Sequence, residues 1–188
     1  MSLAQVKQAA FAAAAVLALT AFGLGDAHAQ SFHVNNFSCS STPFGVDVDV
    51  GGVGNTDLCV IGTASINLNC ACAGGGGNCT SDAKKNTSTA TASTSADLQP
   101  RNGQVSATVT IPFSTSDSQC SALACPSGQK AKLVEFAASE TFRLCISNGA
   151  PSCGCAQDTH QLDETITCLS SGTPFPGKKN SCLSLFPS

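Results

Sequence analysis

Two Cys-x-Cys pairs, Cys70/Cys72 and Cys153/Cys155, have a spacing at which two thiolates take a soft metal ion or exchange with a disulfide. Zinc sites more often use Cys-x-x-Cys. The remaining cysteines are Cys39, Cys59, Cys79, Cys120, Cys125, Cys145, Cys168 and Cys182, which makes twelve in all. An even number in an exported chain implies a disulfide framework, here of up to six bridges. Each bridge contributes about 2–4 kcal/mol, mainly by restricting the unfolded chain. Structural disulfides therefore outrank metal binding and thiol exchange for both pairs. Connectivity is not readable from spacing, since eight cysteines already allow 105 pairings and twelve allow roughly ten thousand. Cys120 and Cys125 are near enough in sequence to close a small loop together.

Oxygen ligands offer a second chemistry. Asp47, Asp49 and Asp57 bracket the glycine-rich run Gly51-Gly52-Val53-Gly54-Asn55, and hard cations favour several oxygens on a turning backbone. These three aspartates are a calcium candidate. The run departs from the EF-hand pattern at Gly51 and has Leu58 where a bidentate glutamate would stand. A strand with two outward aspartates that enters a glycine turn explains it as well. Asp158-Thr159-His160, with Asp163 and Glu164 nearby, resembles the acid–base part of a hydrolytic site. Geometry defines such a site, and no G-x-S-x-G elbow or H-E-x-x-H helix accompanies it. A solvated loop is the simpler reading. Gly74 to Gly77 lack the Gly-Lys-Ser/Thr of a phosphate loop. No catalytic or cofactor-binding residue is assigned, and no cofactor is expected.

The elements that must position these residues have a period of two. From Gln104 to Phe113, Val105, Ala107, Val109, Ile111 and Phe113 share one parity and polar residues hold the other up to Thr110. That is a half-buried strand, ended by Pro112, which cannot donate to a ladder. Pro100-Arg101-Asn102-Gly103 is a turn in which proline presets φ and Asn-Gly tolerates the left-handed region. Thr87 to Leu98 alternates small apolar and hydroxyl residues, which predicts a hairpin with the Gln104 strand. Phe44 to Val50, Ile66 to Cys72, Lys130 to Ala138, Thr141 to Ser147 and Asp163 to Leu169 are further strands. Only Ala131 to Glu140 admits a helical alternative. Ala73 to Cys79 must be a loop. Six to eight short strands with Gly, Pro, Asn and Ser turns predict an all-β fold, a disulfide-rich antiparallel β-sandwich or barrel. Its core should include Val46, Val48, Ile66, Leu68, Val105, Val109 and Ile111.

The N-terminus reads as an export signal. Lys7 precedes an apolar stretch from Phe11 to Leu24, and Ala27-His28-Ala29 gives a small-x-small cleavage site before Gln30. The stretch falls short of the ~20 residues of a spanning helix. Removing residues 1–29 from the 188 leaves 159, enough for one disulfide-stabilised β domain over residues 30–188. The formal net charge is −3 with no basic run, which argues against nucleic acid as a partner. No stretch after the leader is apolar for long enough to cross a bilayer. The chain has no Trp and no Tyr, so a sugar-binding face loses support.

The run Cys70-Ala71-Cys72 to Asn78, then Leu98-Gln99-Pro100-Arg101-Asn102-Gly103-Gln104-Val105, then Cys125-Pro126-Ser127-Gly128-Gln129, resembles small exported bacterial proteins of unassigned function. In those, a cysteine-plus-Gly-Gly-Asn loop precedes a Pro-x-Asn-Gly hairpin and a Cys-Pro-x-Gly-Gln loop. The resemblance spans roughly residues 58–140 and implies no catalytic residue. The expected function is that of an exported, non-enzymatic structural or interaction protein of the periplasm, cell surface or extracellular space. A protein on the cell surface or outside the cell, or a second copy, is the expected partner class. A small metal-binding protein is the first alternative and a secreted hydrolase the second.

Overall fold

The computed structural model describes residues 32–149, 153–157, 162–175 and 179–186. The expected leader and the Asp158-Thr159-His160 run lie outside the described residues. Among the described residues seven strands follow one another: β1 (His33–Cys39), β2 (Gly45–Gly51), β3 (Leu58–Ala73), β4 (Lys85–Leu98), β5 (Gln104–Thr110), β6 (Lys130–Ile146) and β7 (Asp163–Gly172). A short 3-10 turn at Asp117–Cys120 precedes β6, and a one-turn helix α1 (Lys179–Leu183) follows β7. Among the described residues no helix is long and apolar enough to cross a membrane.

The strands form two antiparallel sheets, a three-stranded one ordered β1-β2-β5 and a four-stranded one ordered β4-β3-β6-β7. They face each other as a sandwich. It is not a closed barrel. Alternation explains the layering, because residues two apart on a strand share a face. Val46, Val48 and Val50 of β2, with Val105 and Val109 of β5, meet Val60, Ile66 and Leu68 of β3 and Phe136, Phe142 and Leu144 of β6 in one buried cluster. All seven residues expected in the core are buried. Burying a side chain of this size contributes about 1.5–3 kcal/mol.

The Phe142 ring lies over Gly62 of the neighbouring strand, where an added Cβ would stand 2.8 Å from its Cε1. Gly62 is thus the recess that lets the largest fully buried side chain fit. Phe44, which precedes β2, has φ 61°, an unusual backbone for a bulky residue. Its ring is held 5.3 Å from that of Phe113 and 5.6 Å from that of Phe136. The strain is offset by burial of the ring.

Several sequence expectations are corrected. The Arg101–Gln104 turn forms, with reciprocal backbone hydrogen bonds of 2.8 and 3.1 Å, Asn102 at φ 54° and Gly103 at φ 73°. It does not make a hairpin of its flanking strands, because β4 pairs with β3 while β5 pairs with β2 in the opposite sheet. The turn is where the chain changes layers. Lys130–Ala138 and Thr141–Ile146 belong to one strand, β6, Ser147 follows it in an isolated bridge to Cys155, and no helix occurs in that stretch. An extra residue on β6 at Val134, where the register with β3 shifts, lets the long strand bend without breaking its pairing.

The bridges are Cys39–Cys168, Cys59–Cys153, Cys70–Cys120, Cys72–Cys125, Cys79–Cys182 and Cys145–Cys155. Cys120 and Cys125 therefore do not pair with each other. Cys70 and Cys72, two apart on β3, both turn to the inner cluster and pin the segment between β5 and β6. Cys39–Cys168 joins β1 to β7 and so sutures one side of the sandwich, where edge strands of the two sheets meet.

Candidate interaction surface

The outer face of the four-stranded sheet is where unassigned chemistry concentrates. On β4 the odd-numbered residues Thr87, Thr89, Thr91, Ser93 and Ser95 are exposed, and their even-numbered neighbours turn inward. Register extends this stripe across the sheet. Ser93, Thr63, Thr141 and Thr167 stand in one row, and Thr91, Ser65, Ser139 and Leu169 in the next. Strands lie about 4.8 Å apart and same-face residues about 6.8 Å apart along each strand. The result is a two-dimensional grid of hydroxyls. Thr63, Ser65, Thr91, Ser93, Ser139 and Thr141 line a shallow trough at its centre. Leu169, 83% exposed, is the large apolar side chain at its margin.

Local hydrogen bonds fix one end of the grid. Thr87 Oγ1 donates to Asn69 Oδ1 at 2.9 Å, and Thr89 Oγ1 donates to Asn67 Oδ1 at 3.2 Å. Asn69 Nδ2 in turn donates to Glu135 Oε2 at 3.2 Å. Toward the other end, Arg143 makes a bidentate pair with Asp163, at 2.8 Å from Nε and 2.7 Å from Nη2. The hydrogen bonds from Arg143 hold the Asp163 carboxyl below the ordinary carboxylate range, against the opposing effect of desolvation. Between these ends the grid carries no charged side chain.

Disulfide-pinned segments cover the sheet on either side of the grid. At one end Cys59 and Cys145 stand opposite each other on β3 and β6, and their bridges reach Cys153 and Cys155. The second Cys-x-Cys pair thus supplies two side-by-side bridges to adjacent strands. At the other end Phe175, Cys182 and Leu185 pack on Ala71, Ala73 and Val134 and are tied down by Cys79–Cys182. Lys85 there donates to the Leu185 carbonyl and lies 5.6 Å from the centre of the Phe186 ring.

The calcium candidates are separated by role. Asp47 and Asp49 share the outer face of β2, where Asp47 accepts from Thr108 Oγ1 at 2.6 Å and Asp49 from Asn35 Nδ2 at 3.3 Å. Asp57 lies beyond the turn, and its carbonyl accepts from the Ser147 N–H at 2.9 Å. Among the described residues no three His, Cys, Asp or Glu side chains gather as a metal site. Both Cys-x-Cys pairs are consumed in disulfides, and among the described residues no cysteine is free. Of the hydrolytic candidates, Asp163 is engaged with Arg143 and Glu164 is exposed on β7.

Glu140 is a residue that sequence reading missed. It is fully buried on the inner side of β6, opposite Ala64 and Cys168, and neither carboxylate oxygen has a hydrogen-bond partner. Its place in the inward parity with Ala138 and Phe142 is the signal that would have found it. The hydroxyl grid was half legible, since the alternation in β4 is plain but the strands beside it are not. No protein-family model, curated protein or solved structure matches this chain.

Proposed function

We propose that this is an exported, non-enzymatic structural or interaction protein that works outside the cytoplasm, with the hydroxyl grid as its contact surface. The observation that carries the reading is the rigid framing of that grid. Two long central strands, β3 and β6, display it, and disulfide-pinned segments hold both of its ends. A surface of hydroxyls without charge suits a neutral, hydrogen-bonding partner, because no ion has to be desolvated on contact. The expected leader over residues 1–29 and the resemblance of residues 58–140 to small exported bacterial proteins support the same reading.

Two measurements test it. Protein recovered from its host and denatured without reductant should lie outside the cytoplasm and carry essentially no alkylatable thiols, as expected of an oxidising compartment. A reduced cytoplasmic pool would overturn the reading. Ser65→Arg with Ser139→Arg should abolish retention on the host's envelope or matrix fraction while the melting temperature stays within a few degrees. Retention equal to the unaltered protein would remove the grid as the contact surface.

A further inference from the structure

The four sheet edges are not equally protected. Unpaired edges template further strands unless they are short, bulged, charged or interrupted by proline. β1 is seven residues long and carries a register shift between Val34 and Asn36. β5 is equally short, and Pro112 follows it closely. β7 opens with Asp163-Glu164 and is sutured to β1 by Cys39–Cys168. β4 has neither a bulge nor a bridge to the other sheet, and its charges and its nearest proline, Lys85, Asp97 and Pro100, lie only at or beyond its ends. It runs 14 residues, pairs with β3 without a register shift, contains no proline, and has no charged side chain from Asn86 to Ala96.

The direction of its free groups is fixed by one hydrogen bond. The Cys72 N–H donates to the Lys84 carbonyl at 2.9 Å, and the pairing continues from Ala71 with Lys85 to Leu58 with Leu98. In an extended strand the N–H and C=O of one residue point to the same side, and the side alternates. Even-numbered residues of β4 therefore bond to β3. Odd-numbered residues from Lys85 to Asp97 aim both groups at the open side, where no strand lies among the described residues.

We propose that two copies of this chain pair along β4, antiparallel about a two-fold axis at Thr91, and join their four-stranded sheets into one. Odd residues must then face odd residues, since only those present free groups. The register that sets Thr91 against Thr91 of the second copy engages every outward group from Lys85 to Asp97. It sets Thr89 against Ser93, Thr87 against Ser95, and Lys85 against Asp97. These are the only charged residues in the odd set, they have opposite signs, and they meet at both ends of the pairing. Facing residues project on the same side of a sheet, so Lys85, whose ammonium also donates to the Leu185 carbonyl, stands beside the opposed Asp97. Such an isologous contact closes on itself and does not propagate into a fibre.

Sedimentation equilibrium on the oxidised protein, from low to high micromolar concentration, should show a reversible dimer. Thr91→Pro removes an N–H that points away from β3, so the fold should survive with unchanged circular dichroism while the dimer is lost. Lys85→Glu and Asp97→Lys should each weaken association by about ten-fold, and the two together should restore it. A monomer at every concentration would overturn the proposal, as would a dimer indifferent to Thr91→Pro. Failure of the paired reversals to rescue each other would overturn the register. A well-folded Thr91→Pro monomer beside a dimeric parent would confirm the edge.

Discussion

The inner and outer faces of the four-stranded sheet are secured by different physics. On the inner face Leu58, Val60, Ile66, Leu68, Phe142 and Leu144 close against the second sheet in a continuous buried core, to which Cys39–Cys168, Cys70–Cys120 and Cys72–Cys125 add covalent links. Among the described residues the outer face has only small covers. One centres on Cys59, Cys145 and Cys153, the other on Phe175, Leu185 and the strand residues beneath them. Clusters that small cannot offset the entropy of ordering the segments that supply them. Covalent links do so, and the middle of the face is thereby left open as a hydroxyl grid. A sheet can present a large polar surface when the parts that border it are tied down and need not collapse onto it.

Full reduction should break this arrangement most severely. Each bridge restrains the unfolded chain by about 2–4 kcal/mol, so losing all of them rivals the usual net stability of about 5–15 kcal/mol. The expected outcome is loss of the cooperative thermal transition in reductant, read by calorimetry. A reduced protein that melts cooperatively within about 10 °C of the oxidised one would mean that the inner face suffices alone.

Neighbouring residues on opposite faces give a sharper contrast. Phe142→Ala should cost about 3–5 kcal/mol because it opens a cavity over Gly62. Thr141→Ala, one residue away on the grid, should stay within about 0.5 kcal/mol. Urea midpoints at unchanged slope would measure both, and similar losses would erase the distinction between faces. Glu140 is the exception on the inner face. Glu140→Leu should raise stability by about 1–3 kcal/mol by removing an unpartnered buried carboxyl. A loss instead would show that the carboxyl is compensated in the folded protein.

A small effect also belongs to the ion pair beside the grid. Arg143 and Asp163 side chains are 46% and 48% exposed, so solvent screens them and Asp163→Asn should cost under about 1 kcal/mol at neutral pH. The Asp163 carboxyl is lowered from its ordinary 3.8, so its contribution is present above that value. It is lost as the pH falls through the lower folded value. Thermal midpoints of variant and parent should therefore converge in acid below pH 3.8 and differ slightly at neutrality. A difference that persisted or grew in acid would rule out the pair as its source.

Strand identity was legible wherever one face is dry and the other wet, as in Val46-Asp47-Val48-Asp49-Val50 or Val105 to Ile111. It was obscured where both faces are covered. Leu58, Cys59 and Val60 are all buried, so the start of β3, ahead of the expected Ile66 to Cys72 strand, shows no alternation. β1 was missed because its inward residues, Val34 and Phe37, are offset by the register shift and flanked by asparagines. The Asn-Gly turn was correctly placed, yet the identity of its partners depends on which layer each strand joins. Disulfide pairing followed the same limit. The Cys-x-Cys spacing says that both sulfurs leave one face together, while the residues they meet are set by the tertiary fold. The calcium candidates illustrate a related point, since Asp47 and Asp49 share a strand face while Asp57 sits across a turn whose course the sequence leaves open.

The suture between Cys39 and Cys168 has a mechanical consequence. It spans a sequence separation of 129 residues, so a pull applied to the two ends of the chain bypasses nearly all of the sandwich. Tension passes from the first strand through the sulfur bridge into the last one. At about 3.5 Å of contour per residue, some 450 Å of chain stays out of the load path while that bond is intact. Under an atomic-force tip the oxidised protein should lengthen only through its terminal segments, whereas Cys39→Ser with Cys168→Ser should release the stretch from Cys39 to Cys79, where the Cys79–Cys182 bridge next takes the load. A protein anchored by one end and tugged by the other would behave as a short tether of fixed reach, with its sandwich unloaded.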